Sequence, residues 1–314
     1  MGPIQQNMNP RRVRTRRILR VTANAIRAYF SQCQESVFSQ HELFALLAGK
    51  RGEWQLGKSI TRKDFLTVLQ QRVPLKQLEL KSGKYPSIIR MVRGNPSSFE
   101  IGLSLRKDAY ISHASAAFVH GLSDSLAVLY INKEQTPKDQ SLELTQAGID
   151  AAFSRSPRES NLRYRSSDPR DAMEYVLVNG KSTDCLGVVW VNKPDIGRIQ
   201  VTNVARTLVD LTVRPQYGGG VRTVLKAFKK ARERGMVKTE EIAQILRGVE
   251  HSYPYHQAVG FLMDRAGFSK NDTKIFKTAG MNFDFYLEQK MEKPHYDAEW
   301  RVYYPFELDR SVQE

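Results

Sequence analysis

The positive charge of this 314-residue chain is concentrated in its first third, and this constrains its organisation more than any other feature of the sequence. Residues 1–94 hold 18 Lys and Arg against 5 Asp and Glu, a net charge of +13. Residues 95–314 hold 30 against 28, a net charge of +2. A nearly neutral body with a basic head is typical of a nucleic-acid-binding module joined to a second domain. The sequence therefore predicts two domains, and the loop signal Asn95-Pro96-Ser97-Ser98 puts their boundary near residue 95.

The composition excludes several classes of protein. With 41% hydrophobic residues the chain can form a core, which excludes wholesale disorder. Cys33 and Cys185 are too few and too far apart for a secreted disulfide framework or a metal-binding knuckle. No apolar run approaches the ~20 residues that cross a bilayer, and no apolar segment follows the basic N-terminus as in a signal peptide. We therefore expect a cytoplasmic protein without a membrane partner. The open alternative to nucleic-acid binding is a charge bias that serves solubility or attraction to a membrane surface, although no strongly amphipathic basic helix supports the membrane version.

A polar arm, residues 1–16, precedes the first predicted helix. Neither the arm nor the chain up to Glu35 contains an acidic residue, so the positive charges repel one another. We expect the arm to be disordered until it meets a polyanion such as DNA. The DNA-binding candidates of the arm and of the residue that follows it are Arg11, Arg12, Arg14, Arg16 and Arg17.

Residues 17–94 show the element order of a winged helix-turn-helix domain. Apolar residues at helical spacing predict a first helix, and capping boxes that begin at Ser39 and Thr61 predict a second and a third. Two apolar runs, Leu75–Leu80 and Ile88–Val92, predict a hairpin. In a winged helix, the third helix enters the DNA major groove and the hairpin contacts the backbone.

Polar side chains on the third helix and at the hairpin tip are the predicted DNA contacts of this head. Arg pairs with guanine and Gln with adenine in the major groove, while Lys at the hairpin tip meets phosphate. The alternative is that these side chains only solvate the surface. The predicted contacts are Arg62, Lys63, Thr67, Gln70, Gln71, Lys81 and Lys84.

Beyond residue 95 the hydrophobic patterns change between those of strands and those of helices, with helices dominating after residue 203. The predicted helices are Ser112–His120, 143–154, Asn203–Val213, Val221–Arg234, Thr239–Arg247 and Tyr255–Ala266. The predicted strands are Ala127–Ile131, Glu174–Val178, Gly187–Val191, Met281–Leu287 and Trp300–Tyr304. We therefore expect an α+β chain in which the winged helix-turn-helix precedes a mixed α/β, largely helical C-terminal domain over residues 95–314.

Two blocks of this second region are similar to those of a known family. The first is Tyr110–Ala117 followed by His120–Ser123, and the second is Val201–Asn203 followed by Ala205–Leu211 and Arg214–Gly220. Together with weaker similarity near 258–268 and 300–305, these blocks resemble the AbiEi family, the antitoxin and transcriptional-repressor halves of abortive-infection (type IV) toxin–antitoxin systems. The chain departs from the family pattern in its longer arginine arm, its long 132–170 connection, and Ala205 where the family has an acidic residue.

The resemblance implies a winged-helix head that binds inverted repeats in its own promoter, and a C-terminal domain that takes part in antitoxin action. It also implies double-stranded DNA as a partner and a nucleotidyltransferase toxin encoded nearby. The Gly-Ser and Asp-x-Asp pattern of such a toxin is missing from the sequence, so this chain is not the toxin half.

One predicted helix in the second block could carry chemistry. Arg206 and Asp210 are four positions apart and can form an ordinary, half-exposed ion pair on its surface. A sharper hypothesis puts Asp210, with Ser112 and His113, at the rim of a pocket as an acid–base group.

Two other patterns give weaker evidence for a catalytic or metal-binding site. Asp284 before Glu288-Gln289-Lys290 resembles the carboxylates of a metal-dependent nuclease, but Asp284 is too close in sequence to come from a neighbouring strand. His251 and His256 have the wrong spacing for a metal pair on a helix. We expect no metal site and no cofactor.

Two functions from different classes follow. The leading prediction is an AbiEi-type antitoxin or transcriptional repressor that binds a host promoter or phage DNA in phage defence. The alternative is a stand-alone antiviral enzyme, first a DNA glycosylase that excises modified phage bases and less favourably a nuclease. A glycosylase would need a carboxylate such as Asp210 or Asp284 and a pocket for an extruded base.

Overall fold

The computed structural model describes residues 23–137 and 143–310. The helices are α1 (23–32), α2 (Gln40–Lys50), α3 (Arg62–Arg72), α4 (Ser98–Leu103), α5 (His113–Val119), α6 (Gln146–Phe153), α7 (Val204–Val213), α8 (Val221–Glu233), α9 (Thr239–Val249), α10 (Tyr255–Arg265), α11 (Lys270–Thr273) and α12 (Glu307–Arg310). The strands are β1 (Val37–Ser39), β2 (Leu75–Lys81), β3 (Ile88–Arg93), β4 (Tyr110–Ile111), β5 (Val128–Glu134), β6 (Arg163–Ser166), β7 (Glu174–Gly180), β8 (Val188–Lys193), β9 (Gly197–Thr202), β10 (Phe285–Tyr286), β11 (His295–Asp297) and β12 (Val302–Tyr304). The arm arginines and the expected disorder of residues 1–16 lie outside the described residues.

Most of the described strands join in one large mixed sheet. Its nine strands lie in the order β1-β3-β2-β6-β7-β5-β4-β9-β8. β5 pairs in parallel with β7, and β4 pairs in parallel with β9, whereas the other neighbours are antiparallel. A second, three-stranded sheet has the order β10-β12-β11. The described chain is therefore a mixed α/β protein.

The basic head folds largely as its local signals predict. Ser39 and Thr61 cap α2 and α3, and each side chain accepts a hydrogen bond at 3.2 Å from the backbone N–H three residues later. β2 and β3 form the predicted antiparallel hairpin. β1, which pairs antiparallel with β3, was not predicted because three residues are too short to show an alternating pattern. The helices pack around the buried rings of Phe30, Trp54 and Phe65.

The sheet continues from the head into the rest of the chain. β2 pairs with β6, with Leu80 opposite Ser166. Leu78 and Leu80 are buried in a core that otherwise consists mainly of residues between 99 and 201. The head also has a core of its own, formed by residues between 23 and 91. Strand pairing and a shared core thus hold the hairpin against the second region, and the domain boundary near residue 95 stays a prediction.

The expectation of a largely helical C-terminal region needs correction. β4 to β9 supply six strands of the large sheet, and the long helices α7 to α10 follow only after residue 203. β4, β6 and β9 were not predicted from the sequence. β4 has only two residues, β6 is mostly polar, and β9 contains only two alternating apolar residues, Ile199 and Val201. Strands this short or this polar carry no clear period-two signal.

Helix α7 is buried on nearly every side because it lies among other helices. It packs against α5, α8, α9 and α10, and all residues from Ala205 to Thr212 are buried. Nearby, α10 carries Gly260 where the helix meets the buried ring of Trp300, and a β-carbon at Gly260 would lie 2.1 Å from that ring. The sequence blocks near 258–268 and 300–305 therefore pack on each other.

Candidate functional site

A cleft of about 1120 Å³ opens at the carboxyl ends of β5 and β7. Asn132 of β5 and residues 179–182, which end and follow β7, line it. Because the two strands are parallel, their carboxyl ends lie at the same edge of the sheet, which is where ligands commonly bind in α/β proteins. α7 and the segment 249–255, between α9 and α10, form further walls.

The predicted pair of Arg206 and Asp210 forms and lines this cleft. Arg206 Nε donates to Asp210 Oδ1 at 2.8 Å, and only 3% and 8% of the two side chains are exposed. The expectation of a half-exposed pair is therefore wrong, because α7 is enclosed by other helices. Arg206 Nη1 also donates to the Leu186 carbonyl at 2.8 Å and to Thr183 Oγ1 at 3.1 Å, which fixes the guanidinium. Burial raises the pKa of Asp210, and the positive charge of Arg206 offsets part of that rise.

Ser112 and His113 lie where β4 leads into α5. Both are buried, and Ser112 Oγ lies 2.7 Å from His113 Nδ1. His113 has a φ of 53°, a left-handed conformation that costs a non-glycine residue roughly 1–3 kcal/mol and is concentrated at functional sites. Burial, with the positive charges of Arg214 and Arg206, lowers the pKa of His113 well below its usual value, so the ring is neutral at pH 7. His113 lines the same cleft as Asp210, and Ser112 contacts its ring.

The structure does not bring Asp284 into this cleft. Asp284 Oδ1 accepts hydrogen bonds from Arg301 Nε at 2.8 Å and from the Tyr296 hydroxyl at 2.7 Å. Although partial burial raises it, the pKa of Asp284 is lowered below its ordinary value by these two donors. Of the segment that resembles a nuclease carboxylate set, Glu288 and Gln289 line the cleft and Asp284 does not. The cleft therefore contains the carboxylate of Glu288 but not that of Asp284.

Three side chains on the lining have a buried polar atom without a hydrogen-bond partner among the described residues. These atoms are Asn132 Oδ1, Asp210 Oδ2 and His251 Nε2. Asn132 donates through Nδ2 to the Tyr110 hydroxyl at 3.1 Å, and Gly180 leaves room for its amide, since a β-carbon there would lie 2.7 Å from Asn132 Oδ1. Sequence reasoning missed Asn132, because one asparagine in an apolar strand gives no signal until the fold shows what surrounds it.

Four cationic side chains also line the cleft. Arg155 and Arg158, which follow α6, are exposed and form no hydrogen bond or ion pair with any described residue. Arg214 lies at the end of α7 and is 5.9 Å from the centre of the Tyr217 ring. Lys181 follows β7 and donates a hydrogen bond to the backbone carbonyl of Glu250. The cleft therefore has a positive rim beside its buried polar groups.

Aromatic and acidic side chains complete the lining. Phe153, Tyr253 and Tyr255 supply the aromatic surface, and Glu250 and Glu288 supply carboxylates in addition to Asp210. Burial raises the pKa of Glu288. Within the described ranges, no three His, Cys, Asp or Glu side chains converge in the way that a metal ion would require. The lining therefore combines charged, polar and aromatic groups.

The predicted DNA contacts of the head are exposed. Along α3 these are Arg62, Lys63, Thr67, Gln70 and Gln71, and around the hairpin turn they are Lys81 and Lys84. The Arg62 guanidinium lies 5.1 Å from the Phe44 ring of α2, which holds its stem against the head. Lys81 Nζ lies 3.8 Å from a carboxylate oxygen of Glu79, and both groups face solvent. Exposure of these groups is consistent both with DNA contact and with simple solvation.

No family model and no curated protein matches this chain. Among solved structures, its fold is similar to that of the RV2827C protein from Mycobacterium tuberculosis, known from a crystal structure. The TM-score is 0.54 and the sequence identity is 11%, and the match covers 93% of this chain and 95% of that chain. At this identity the similarity concerns the fold alone. Among the described helices, none combines the length and the apolar character needed to cross a bilayer.

Proposed function

We propose that this chain is a cytoplasmic DNA-binding protein of AbiEi type, which acts as an antitoxin or transcriptional repressor in phage defence. Its residues 17–94 would form a winged helix-turn-helix domain. The observation that carries the proposal is the order α1-β1-α2-α3-β2-β3, with β1 antiparallel to β3 and β3 antiparallel to β2. This order supports a winged helix, a fold in which the third helix reads the major groove.

The exposed face of α3 supports the same proposal. Arg62 and Lys63 lie at its start, and Gln70 and Gln71 lie in its last turn, all exposed to solvent. Together with the +13 charge of residues 1–94, this face can contact both phosphates and base edges. Double-stranded DNA is therefore the proposed partner.

The positions of the two AbiEi-like blocks give further support. Ile111 of the first block pairs with Val201, the first residue of the second block, in the parallel β4–β9 ladder. The His120 Nε2 atom lies 2.6 Å from the carbonyl oxygen of Thr202, and α5 packs on α7. The blocks that resemble the family therefore form one structural unit, and a nucleotidyltransferase toxin encoded nearby remains part of the proposal.

The test is the salt dependence of binding to a duplex that contains the inverted repeats upstream of its own gene. Each lost phosphate contact should lower the slope of log affinity against log salt by about 0.9. Deletion of residues 1–16 and Lys63→Gln should each lower the slope. Lys226→Gln, which neutralises an exposed lysine in the nearly neutral region, is the control and should not. If the deletion and Lys63→Gln leave affinity and slope unchanged, the head does not bind DNA as proposed.

The cleft favours a second candidate function, a DNA glycosylase that acts on modified phage bases. The specific observation is Asp210, a buried carboxylate with one oxygen unpartnered, which lines a cleft together with a neutral His113. In such an enzyme the bond between C1′ and the base nitrogen breaks, the base leaves with the electron pair and takes up a proton, and water adds to C1′. Asp210 would stabilise the cationic sugar or accept the proton of that water.

Formation of abasic sites in modified phage DNA tests this candidate. Asp210→Asn should abolish abasic sites, whereas Asp284→Asn, which alters a carboxylate outside the cleft, should not. Circular dichroism at the assay temperature shows whether the Asp210 variant is folded. The absence of abasic sites with the wild-type protein, or equal rates for a folded Asp210→Asn variant, would remove this candidate and leave the regulator.

A further inference from the structure

We propose that the cleft binds one nucleotide unit, with a base whose exocyclic amine donates to Asn132 and Asp210 and with a phosphate held by Arg155 and Arg158. This inference does not rest on DNA binding by the head. It deepens the second candidate function, because it names the kind of base that the cleft accepts, and it also holds if the protein is a regulator that binds a free nucleotide.

Two buried hydrogen-bond acceptors in the cleft favour a base that carries an amine. Asn132 Oδ1 and Asp210 Oδ2 are buried and have no partner among the described residues, and 3% and 7% of these two residues are exposed. A buried acceptor without a donor is costly, so a ligand that supplies N–H groups gains affinity there. The amine of cytosine, adenine or guanine supplies such donors, whereas the corresponding carbonyl of uracil would add a third acceptor.

Two exposed arginines on the rim of the cleft favour a ligand that carries a phosphate. Arg155 and Arg158 are exposed and free of ion pairs within the described chain, so both can bind a phosphate without giving up another partner. A guanidinium matches the geometry of a phosphate and forms charge-assisted hydrogen bonds with it. Arg214, on the same lining, adds positive charge.

The aromatic walls and the size of the cleft suit a base with its sugar and phosphate. Phe153, Tyr253 and Tyr255 offer aromatic surface to a planar base, and aromatic stacking is a common way to hold a base without a duplex. The volume of about 1120 Å³ is slightly above the range of about 300–1,000 Å³ that is usual for ligand pockets, and it has room for a base, a sugar and a phosphate. Acceptors, cations and rings on one lining together select a nucleotide over a purely anionic or purely apolar ligand.

The experiment is a calorimetric titration with dCMP and dUMP, which differ at C4, an amine in cytosine and a carbonyl in uracil, and at N3, which carries a hydrogen only in uracil. We expect dCMP to bind at least 10-fold more tightly than dUMP. Asn132→Ala should reduce the dCMP affinity toward that of dUMP. The double variant Arg155→Gln and Arg158→Gln should weaken dCMP by 10-fold or more and leave the nucleoside deoxycytidine unchanged. Because Arg155 and Arg158 are exposed, this variant should fold even if the Asn132 variant does not.

A second measurement distinguishes the two sources of the nucleotide. The wild-type protein is mixed with a duplex that carries a central 2-aminopurine, whose fluorescence rises when the base leaves the stack. A rise that Asn132→Ala removes supports the proposal with DNA as the source. Preference for dCMP without such a rise supports it with a free nucleotide as the source.

Absence of binding by both monophosphates, or equal affinities for the two, overturns the proposal. A gel-shift with an unmodified duplex reports on the head separately. Failure of the cleft proposal and failure of DNA binding by the head are therefore distinguishable.

Discussion

The basic head and the cleft place charged groups in opposite environments. On α3 of the head, Arg62 and Lys63 are exposed to solvent, whereas in the cleft Arg206 and Asp210 are almost completely buried. An exposed cation keeps its hydration until it meets a polyanion, so it contributes to affinity in a salt-dependent manner and hardly at all to stability. A buried ion pair has lost its water and depends on its partner. We therefore expect the head to govern DNA affinity, and the cleft to govern stability and its pH dependence.

The largest expected effect is at the buried pair. Asp210→Ala leaves the Arg206 guanidinium buried without its carboxylate, which should lower the free energy of unfolding by about 3–5 kcal/mol, measured by urea denaturation. Asp284→Ala is the matched control, because Arg301 Nε and Asp284 Oδ1 are also 2.8 Å apart but 38% and 30% of these side chains are exposed. Its effect should be a small fraction of that value, since water screens the pair. Equal losses in the two variants would contradict the contrast between buried and exposed pairs.

The next effect concerns base recognition by the head. Gln70→Ala should relax the preference at one base pair by about 1–3 kcal/mol, because an amide side chain pairs with adenine through two hydrogen bonds. Arg62→Ala should act in the same way at a guanine. Lys84→Ala, at the hairpin tip, is the control and should weaken all sequences alike, since a phosphate contact carries no sequence information. Competition binding against a randomised site measures both the preference at each base pair and the overall affinity. Uniform weakening by all three variants would mean that the head contacts only the DNA backbone.

A smaller effect is the pH dependence of stability from His251. Burial, with the positive charge of Lys181, lowers the pKa of His251 to about 3. In the unfolded chain the His251 imidazole is therefore protonated near pH 6.5, whereas in the folded protein it stays neutral until about pH 3. The free energy of unfolding consequently falls as the pH drops from about 6.5 toward 3. At pH 5.5 this group alone should cost about 1.4 kcal/mol relative to pH 7.5. Denaturation at both pH values should show that loss in the wild type beyond the loss in His251→Gln. The same loss in both proteins would place the titrating groups elsewhere.

The head could be predicted from the sequence because its signals are local. The capping boxes at Ser39 and Thr61 and the apolar runs of the hairpin lie within a few residues of the elements that they define. β1 escaped prediction because its three residues are too few to show an alternating pattern, and its pairing with β3 joins segments more than fifty positions apart. The winged helix-turn-helix assignment and the role of the arm arginines stay predictions.

The cleft could be predicted only in part. The spacing of Arg206 and Asp210 predicted their pairing, but their burial depends on helices α8 to α10, which lie later in the chain. Asn132 and His251 come from separate segments, and their unpartnered atoms become visible only when β5 and the loop before α10 line one cleft. Short-range patterns report on caps and faces, whereas a site assembled from distant segments requires the fold.

The most direct test of the division between head and cleft compares two double variants that each remove two positive charges. One is Arg62→Gln with Lys63→Gln on α3, and the other is Arg155→Gln with Arg158→Gln on the cleft rim. Both are measured for affinity to an unmodified duplex as a function of salt. We predict that the α3 variant lowers the log–log slope by about 0.9, because Lys63 is its phosphate contact and Arg62 is its base contact, while the rim variant binds the duplex as the wild type does. An equal loss of slope and affinity in both variants would show that head and rim form one continuous DNA-binding surface and would contradict the account.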